Sequence, residues 1–173
     1  MSKESLILTG FMGMGKSTVG PDVAKRLGNA YFDTDDWLET VAGINVPQLV
    51  KTNMAEFRRL EAEALETILG QEHVVISTGG GIVSTEVGRT ALLAAGSPVV
   101  WLKAPFVVAA ERVKYDTGRE RPLFSNLEIA RTLFNDRQEW YAETANHIVD
   151  ASQPKELVVG TVVSILANGS RPQ

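Results

Sequence analysis

The chain contains no cysteine. That excludes disulfides, thiolate zinc sites and a cysteine nucleophile, and it accords with a reducing compartment. Histidine is nearly as scarce. His73 and His147 are the only two, too far apart in sequence to read as a metal-binding cluster. Positive charge is not in excess: 17 Lys and Arg against 21 Asp and Glu leave a net charge of −4. The overall basic footprint of a nucleic-acid binder is therefore missing, and any anion must be met by local basic groups. No apolar run approaches the ~18 residues of a membrane span. The short apolar run that follows the first five residues is too brief for a secretory h-region and cleavage site. These absences lead to the expectation of a cytoplasmic chain that engages neither membrane nor nucleic acid.

What is present fits one globular domain over residues 1–173. The length is typical of a single domain, at about 100–200 residues, and it suffices for a sizeable core. Apolar residues make up 44% and charged residues 22%, close to the globular average. Short apolar runs at 5–9, 30–33, 73–77, 98–102 and 147–150 read as strands. Longer helical patterns separate them: from the Gly-rich segment to about 27, over 36–52 with a turn near Gly43, and over 55–69, 106–113, 127–142 and 154–166. On 55–69 the periodicity puts Phe57, Leu60, Leu65 and Ile68 on the apolar side and Glu56, Arg58, Arg59, Glu61 and Glu63 on the wet side. Residues 115–126, with Gly, Pro and several charges, read as a loop. Strand and helix alternate five times. Fully apolar strands between helices argue an α/β domain with a parallel sheet covered on both faces. Ligands of such sheets gather at the carboxyl ends of the strands.

Three polar or Gly-rich clusters fall at those ends. The first, Gly10-Phe11-Met12-Gly13-Met14-Gly15-Lys16-Ser17, matches G-x-x-x-x-G-K-[ST] between a strand and a helix. Glycines let such a loop curl its N–H groups around phosphate oxygens, and the helix N-terminus adds partial positive charge. The segment Met12, Gly13, Met14, Gly15, Lys16, Ser17 and Thr18 is thus a nucleotide-binding candidate. Lys16 would reach the β- and γ-phosphates and the Ser17 hydroxyl would bind Mg²⁺. Pro21 stands inside the following helix and removes one backbone donor. The chain is too short for a motor or transporter ATPase and has no N-K-x-D stretch for guanine, which favours a small kinase.

The second cluster is Asp33-Thr34-Asp35. In an extended segment these two carboxylates point to one side, one to hold Mg²⁺ and the other to take a substrate hydroxyl, with Asp36 left to cap the next helix. The third is Gly79-Gly80-Gly81, where a backbone can approach a ligand with no side chain between. Arg58 lies on a helix, Arg121 in the charged loop, and Arg137 four residues before Tyr141. A loop arginine above a phosphate loop is suited to neutralise charge during phosphoryl transfer.

In order, the chain carries a phosphate loop, D-T-D, F-R-x-x-E, G-G-G, R-P-L and R-x-x-x-Y. This set, from about residue 6 to 150, resembles the shikimate kinase family of the nucleoside monophosphate kinase-like group. The resemblance implies a three-layer P-loop NTPase fold: a five-stranded parallel sheet, helices on both faces, substrate-binding helices over about 34–62 and a mobile lid over about 114–126. It implies transfer of phosphate from ATP to shikimate, giving shikimate 3-phosphate for aromatic amino-acid biosynthesis, in a monomer with one Mg²⁺. It assigns Asp33 to Mg²⁺ through water, and Asp35 to the ring hydroxyls and the attacking proton. Arg58 and Arg137 fall to the carboxylate, Gly80 and Gly81 to substrate support, Arg121 to the transferring phosphate, and Arg112 and Pro154 to the adenine side. The catalytic set is Lys16, Asp35 and Arg121. The chain departs from the family where Asn53-Met54 replace a usual Gly-Glu pair before Phe57, and in a slightly longer lid.

Two other readings use the same loop. Another small-metabolite kinase, such as a gluconate kinase, need not keep both Arg58 and Arg137. A non-catalytic nucleotide-binding regulatory module is expected to have lost Lys16, Asp35 or Arg121, and all three are present.

Overall fold

The computed structural model describes residues 5–69, 71–116 and 122–167. Strand β1 (Leu6–Thr9) enters the phosphate loop and α1 (Lys16–Leu27). Strand β2 (Ala30–Asp33) leads into α2 (Thr34–Ala42), α3 (Val46–Thr52) and α4 (Met54–Leu69). Strand β3 (Val74–Ser77) is followed by a short 3₁₀ turn and α5 (Glu86–Ala94). After β4 (Val99–Lys103) come α6 (Phe106–Tyr115), a second 3₁₀ turn at Pro122–Ser125 and α7 (Leu127–Thr144). Strand β5 (His147–Asp150) and α8 (Lys155–Ala167) complete the described chain.

All pairings are parallel, in the order β2-β3-β1-β4-β5. Ile7 sits between Ile76 and Val99. β1, β3 and most of β4 are buried, as apolar strands covered on both sides require. Right-handed crossovers then sort the helices. The step from β1 to β2 runs one way along the sheet, and those from β2 to β3, β3 to β4 and β4 to β5 run the other way. Accordingly α1 packs with α8, while α5 packs with α4 and α7. The chain leaves β1 and its neighbour β3 toward opposite faces, which opens a crevice at their carboxyl ends. A small second core of Leu38, Leu49, Phe57 and Leu60 ties α2, α3 and α4 together beside it.

Several local expectations are corrected. α2 begins at Thr34 rather than at 36, because the Asp33 carboxylate accepts the Asp35 N–H at 3.0 Å and caps the helix. Asp35 is therefore in a first helical turn, not in an extended segment alongside Asp33, and Asp36 is not the cap. α6 runs on to Tyr115, and a 3₁₀ turn forms at Pro122–Ser125 where a loop was expected. α1 continues through Pro21. Asn53 ends α3 with its own N–H on the Leu49 carbonyl, and its side chain accepts the Glu56 N–H at 3.0 Å. One residue thus caps two helices where the family pattern carries Gly. Of the lid expected over 114–126, residues 117–121 lie outside the described residues, Arg121 among them.

Candidate active site

The phosphate loop is shaped by backbone geometry that side chains disfavour. Gly13 and Gly15 have φ of 80° and 88°, and a Cβ on Gly13 would stand 2.8 Å from the Ala109 carbonyl oxygen of α6. The loop is thereby pressed onto α6, and α1 opens at Gly15, a helix N-terminus of the kind that suits an anion. Lys16, 8% exposed, donates from Nζ to the Gly10 carbonyl at 2.6 Å and the Phe11 carbonyl at 3.2 Å. Beneath the loop, the Phe11 ring meets Phe134 of α7 edge-on at 5.3 Å and Phe124 at 6.1 Å.

At the end of β2, Asp33 is held from three sides. Its Oδ2 accepts from the Ser17 hydroxyl at 2.9 Å and from the Tyr31 hydroxyl at 3.2 Å. Its Oδ1 takes the Asp35 N–H. Tyr31 is two residues earlier on the same strand and so shares its face. Burial, and the neighbouring Asp33 carboxylate after it, push the Tyr31 phenol well above its ordinary range. It stays a neutral donor. The hydroxyl and carboxylate oxygens of Ser17 and Asp33 are hard donors beside a solvent-facing loop, a set that suits Mg²⁺, which keeps several of its waters. No cluster of three or more Asp, Glu or His able to hold a metal occurs among the described residues.

The triple glycine joins this end to the arginines. The Gly79 N–H donates to Thr34 Oγ1 at 2.9 Å. A Cβ on Gly79 would stand 2.8 Å from Asp35 Oδ1, so glycine lets that carboxylate lie against the turn. A Cβ on Gly81 would stand 3.7 Å from Arg137 Nη2 and 3.9 Å from Arg58 Nη1. Two guanidinium groups from α4 and α7 thus converge on one point of the turn. Each is tethered. Arg58 Nη1 donates to Glu61 Oε2 at 2.6 Å, and Arg137 Nη1 donates to the Gly80 carbonyl at 3.1 Å. Arg137 is 7% exposed, and its buried Nε has no hydrogen-bond partner among the described residues.

Glu61 is a correction to the sequence reading, which set it on the wet side of its helix. It is 5% exposed and turned inward onto Arg58. Desolvation raises its carboxyl pKa, opposed by Arg58 and then Arg137. Helical periodicity places position 61, four residues after Phe57 and four before Leu65, within the apolar stripe of α4. The pairing with Arg58 compensates its charge there. Tyr31 and Glu61 are site residues whose roles the sequence reading missed, although Glu61 stands in the F-R-x-x-E pattern.

A cleft of about 400 Å³ runs along the strand ends. All seven residues of the phosphate segment line it, from Met12 to Thr18, together with Asp33, Asp35, Gly80 and Arg112. Arg112 donates to the Ala151 carbonyl at 2.7 Å. At that end the lining is Ala151, Gln153 and Lys155, without Pro154. Arg58, Gly81 and Arg137 are likewise outside the lining and gather about Gly81 beside it.

A lysine-bearing phosphate loop at the switch point of a parallel sheet, with a carboxylate–hydroxyl pair next to it, defines a P-loop phosphotransferase, and this chain is of that class. Within it the comparisons are specific. The shikimate kinase profile matches residues 12–167, and the chain belongs to the shikimate kinase family. Shikimate kinase 2 of Enterobacter sp. (strain 638) is 35% identical over 168 residues, covering 94% of this chain and 95% of that relative. Shikimate kinase of Aquifex aeolicus is 34% identical over 165 residues, covering 94% and 96%. Among solved structures, shikimate kinase from Acinetobacter baumannii in complex with shikimate superposes with a TM-score of 0.86 at 26% identity, covering 98% of this chain and 97% of that one. The chain is a kinase that uses ATP as co-substrate.

Proposed function

We infer that this chain transfers the γ-phosphoryl group of ATP to a hydroxyl of shikimate, yielding ADP and shikimate 3-phosphate. The observation that carries the choice of acceptor is the convergence of Arg58 and Arg137 on Gly81, next to the carboxylate of Asp35. Two guanidinium forks suit the acceptor's carboxylate, and an aspartate suits its hydroxyls.

In this reading Asp35 orients the attacking hydroxyl and takes its proton as the oxygen–phosphorus bond forms and the bridging bond to the β-phosphate breaks. Lys16 neutralises charge on the β- and γ-phosphates, and Arg121 does so on the transferring group. Arg58 and Arg137 orient the acid, and the Gly80–Gly81 turn supports the ring. Arg112 and the Ala151–Lys155 segment, with Pro154 inside it, form the nucleotide's base side. Ser17, and Asp33 through water, would hold Mg²⁺, one ion per subunit, which would supply further charge neutralisation at the phosphates. Catalysis rests on positioning and charge. The protein works as a monomer in the cytoplasm.

The test is ADP release by purified protein with shikimate, with gluconate and with no acceptor. Fast turnover with shikimate alone supports the reading, and a preference for gluconate overturns it. Arg58→Ala and Arg137→Ala should each raise the shikimate Kd by about tenfold or more, as expected when a charge-assisted pair is lost, while the ATP Kd holds. Equal losses for both ligands would remove the arginines from the acceptor site.

A further inference from the structure

We propose that Tyr141 is a positioning residue: its hydroxyl fixes the Gly80 carbonyl and thereby sets the distance between the acceptor turn and the phosphate loop. The inference rests on the reading of Arg58, Arg137 and the Gly80–Gly81 turn as the acceptor site.

The Tyr141 hydroxyl donates to the Gly80 carbonyl at 2.6 Å, and Arg137 Nη1 donates to the same oxygen at 3.1 Å. Both lone-pair directions of that carbonyl are therefore engaged. Arg137 and Tyr141 are one turn apart on α7, so their side chains leave the helix on one face. Tyr141 is fully buried and stacks on Trp101 of β4, with ring centroids 5.6 Å apart and 26° between planes. The ring is thus gripped by the sheet, and the sheet's rigidity passes through the phenol to Gly80. Burial also pushes the phenol far above its ordinary range, which keeps it a donor.

Gly80 is where a small shift matters. A Cβ there would stand 3.2 Å from the Met12 nitrogen and 3.4 Å from the Gly10 carbonyl oxygen, so this peptide abuts the phosphate loop directly. It lies between the loop on one side and the two guanidinium groups on the other. Without the phenol, Arg137 is the one side-chain donor left to the Gly80 carbonyl among the described residues, and Arg137 is the group that must also meet the acid. The hydroxyl thus shares with Arg137 the task of holding the Gly80 carbonyl.

Tyr141→Phe keeps the ring, the stack and the burial and removes only the donor. The expected result is a rise of about tenfold in the shikimate Kd, the scale of one lost buried hydrogen bond. A fall in kcat should accompany it, with the ATP Kd unchanged within about twofold. Trp101→Phe serves as the packing control: it shrinks the stacked partner but keeps an aromatic ring there and leaves the hydroxyl on Gly80, so it should lower Tm and raise the shikimate Kd less than Tyr141→Phe does. Calorimetric titration of each ligand and a thermal scan of each variant provide the readouts. A Tyr141→Phe variant with lowered Tm and wild-type shikimate Kd overturns the proposal. If Arg137→Ala also leaves the shikimate Kd unchanged, the acceptor-site reading falls with it. If Arg137→Ala weakens shikimate and Tyr141→Phe does not, only the positioning role falls.

Discussion

The Ser17 hydroxyl donates to Asp33 Oδ2 across 2.9 Å, joining the first turn of α1 to the end of β2. This bond occupies the serine proton and leaves the hydroxyl's lone pairs for the Mg²⁺ that the proposed reading places there. Asp33→Asn should preserve the α2 cap, since an amide oxygen still accepts an N–H, but it replaces the charged acceptor. The Mg²⁺ concentration for half-maximal rate should rise about tenfold or more, the usual scale for losing a group that supports a metal ligand. Shikimate affinity should not move. A Mg²⁺ titration of ADP release at fixed ATP measures this, and an unshifted midpoint argues that Asp33 serves only as a cap.

Lys16→Met should lower kcat/KM by about 10²–10³-fold, the scale for removing one preorganised donor to developing charge. The lysine bridges the Gly10 and Phe11 carbonyls, so a small drop in Tm accompanies the loss of activity. Steady-state kinetics together with a thermal scan separate the two. Wild-type turnover in this variant would remove the phosphate-loop assignment.

Gly20 in α1 is the position where a usually helpful change should harm. Gly to Ala inside a helix ordinarily gains about 1 kcal/mol. Here the new Cβ would stand 2.3 Å from Tyr31 Cε2 and 3.0 Å from Ser77 Oγ. Overpacking should win, for a net loss of about 1–3 kcal/mol. Because the displaced ring carries a hydroxyl bonded to Asp33, Gly20→Ala should also raise the Mg²⁺ requirement. Urea denaturation gives the first quantity and the Mg²⁺ titration the second, and an increased midpoint in urea contradicts the expected clash.

Glu61 makes stability depend on pH in an unusual direction. Its folded carboxyl pKa is raised above the ordinary 4.5, chiefly by burial. A raised carboxyl binds its proton more tightly in the folded chain, so its contribution falls as pH rises from about 4.5 through the folded pKa. Glu61→Gln does not titrate. The stability of wild type minus that of Glu61→Gln should therefore decline across that window and level off above it. Urea unfolding of both proteins from pH 4.5 to 8 measures the difference. A difference that grows with pH means that pairing with Arg58 outweighs burial.

Asn53 predicts a local effect at the point where the chain departs from its family's pattern. Its side chain caps α4 by accepting the Glu56 N–H. Asn53→Ala should cost about 0.5–2 kcal/mol. Asn53→Gly should cost only a few tenths. Thermal scans rank the two, and an equal loss would show that the side-chain oxygen does not matter.

The sequence by itself determined the features whose physics is local. The phosphate loop was legible because its glycines, lysine and serine act within eight consecutive residues. The parallel sheet was legible because apolar strands alternate with helices. The ordered motifs pointed to the family, since their spacing survives in one dimension. The cap on α2 was misread because a side chain bonding its own neighbourhood competes with strand extension, and periodicity does not weigh the two. Tertiary structure alone decided which polar groups meet. Tyr141 and Gly80 are 61 positions apart, and Arg137 and Gly80 are 57 apart. Glu61 turns inward because Arg58 and the glycine turn are there to receive it, and Gly20 is bare because the Tyr31 ring needs the space. Each of these choices depends on the cost of burying a polar group or a ring against a partner from another element. That cost is set only when the sheet has brought the elements together.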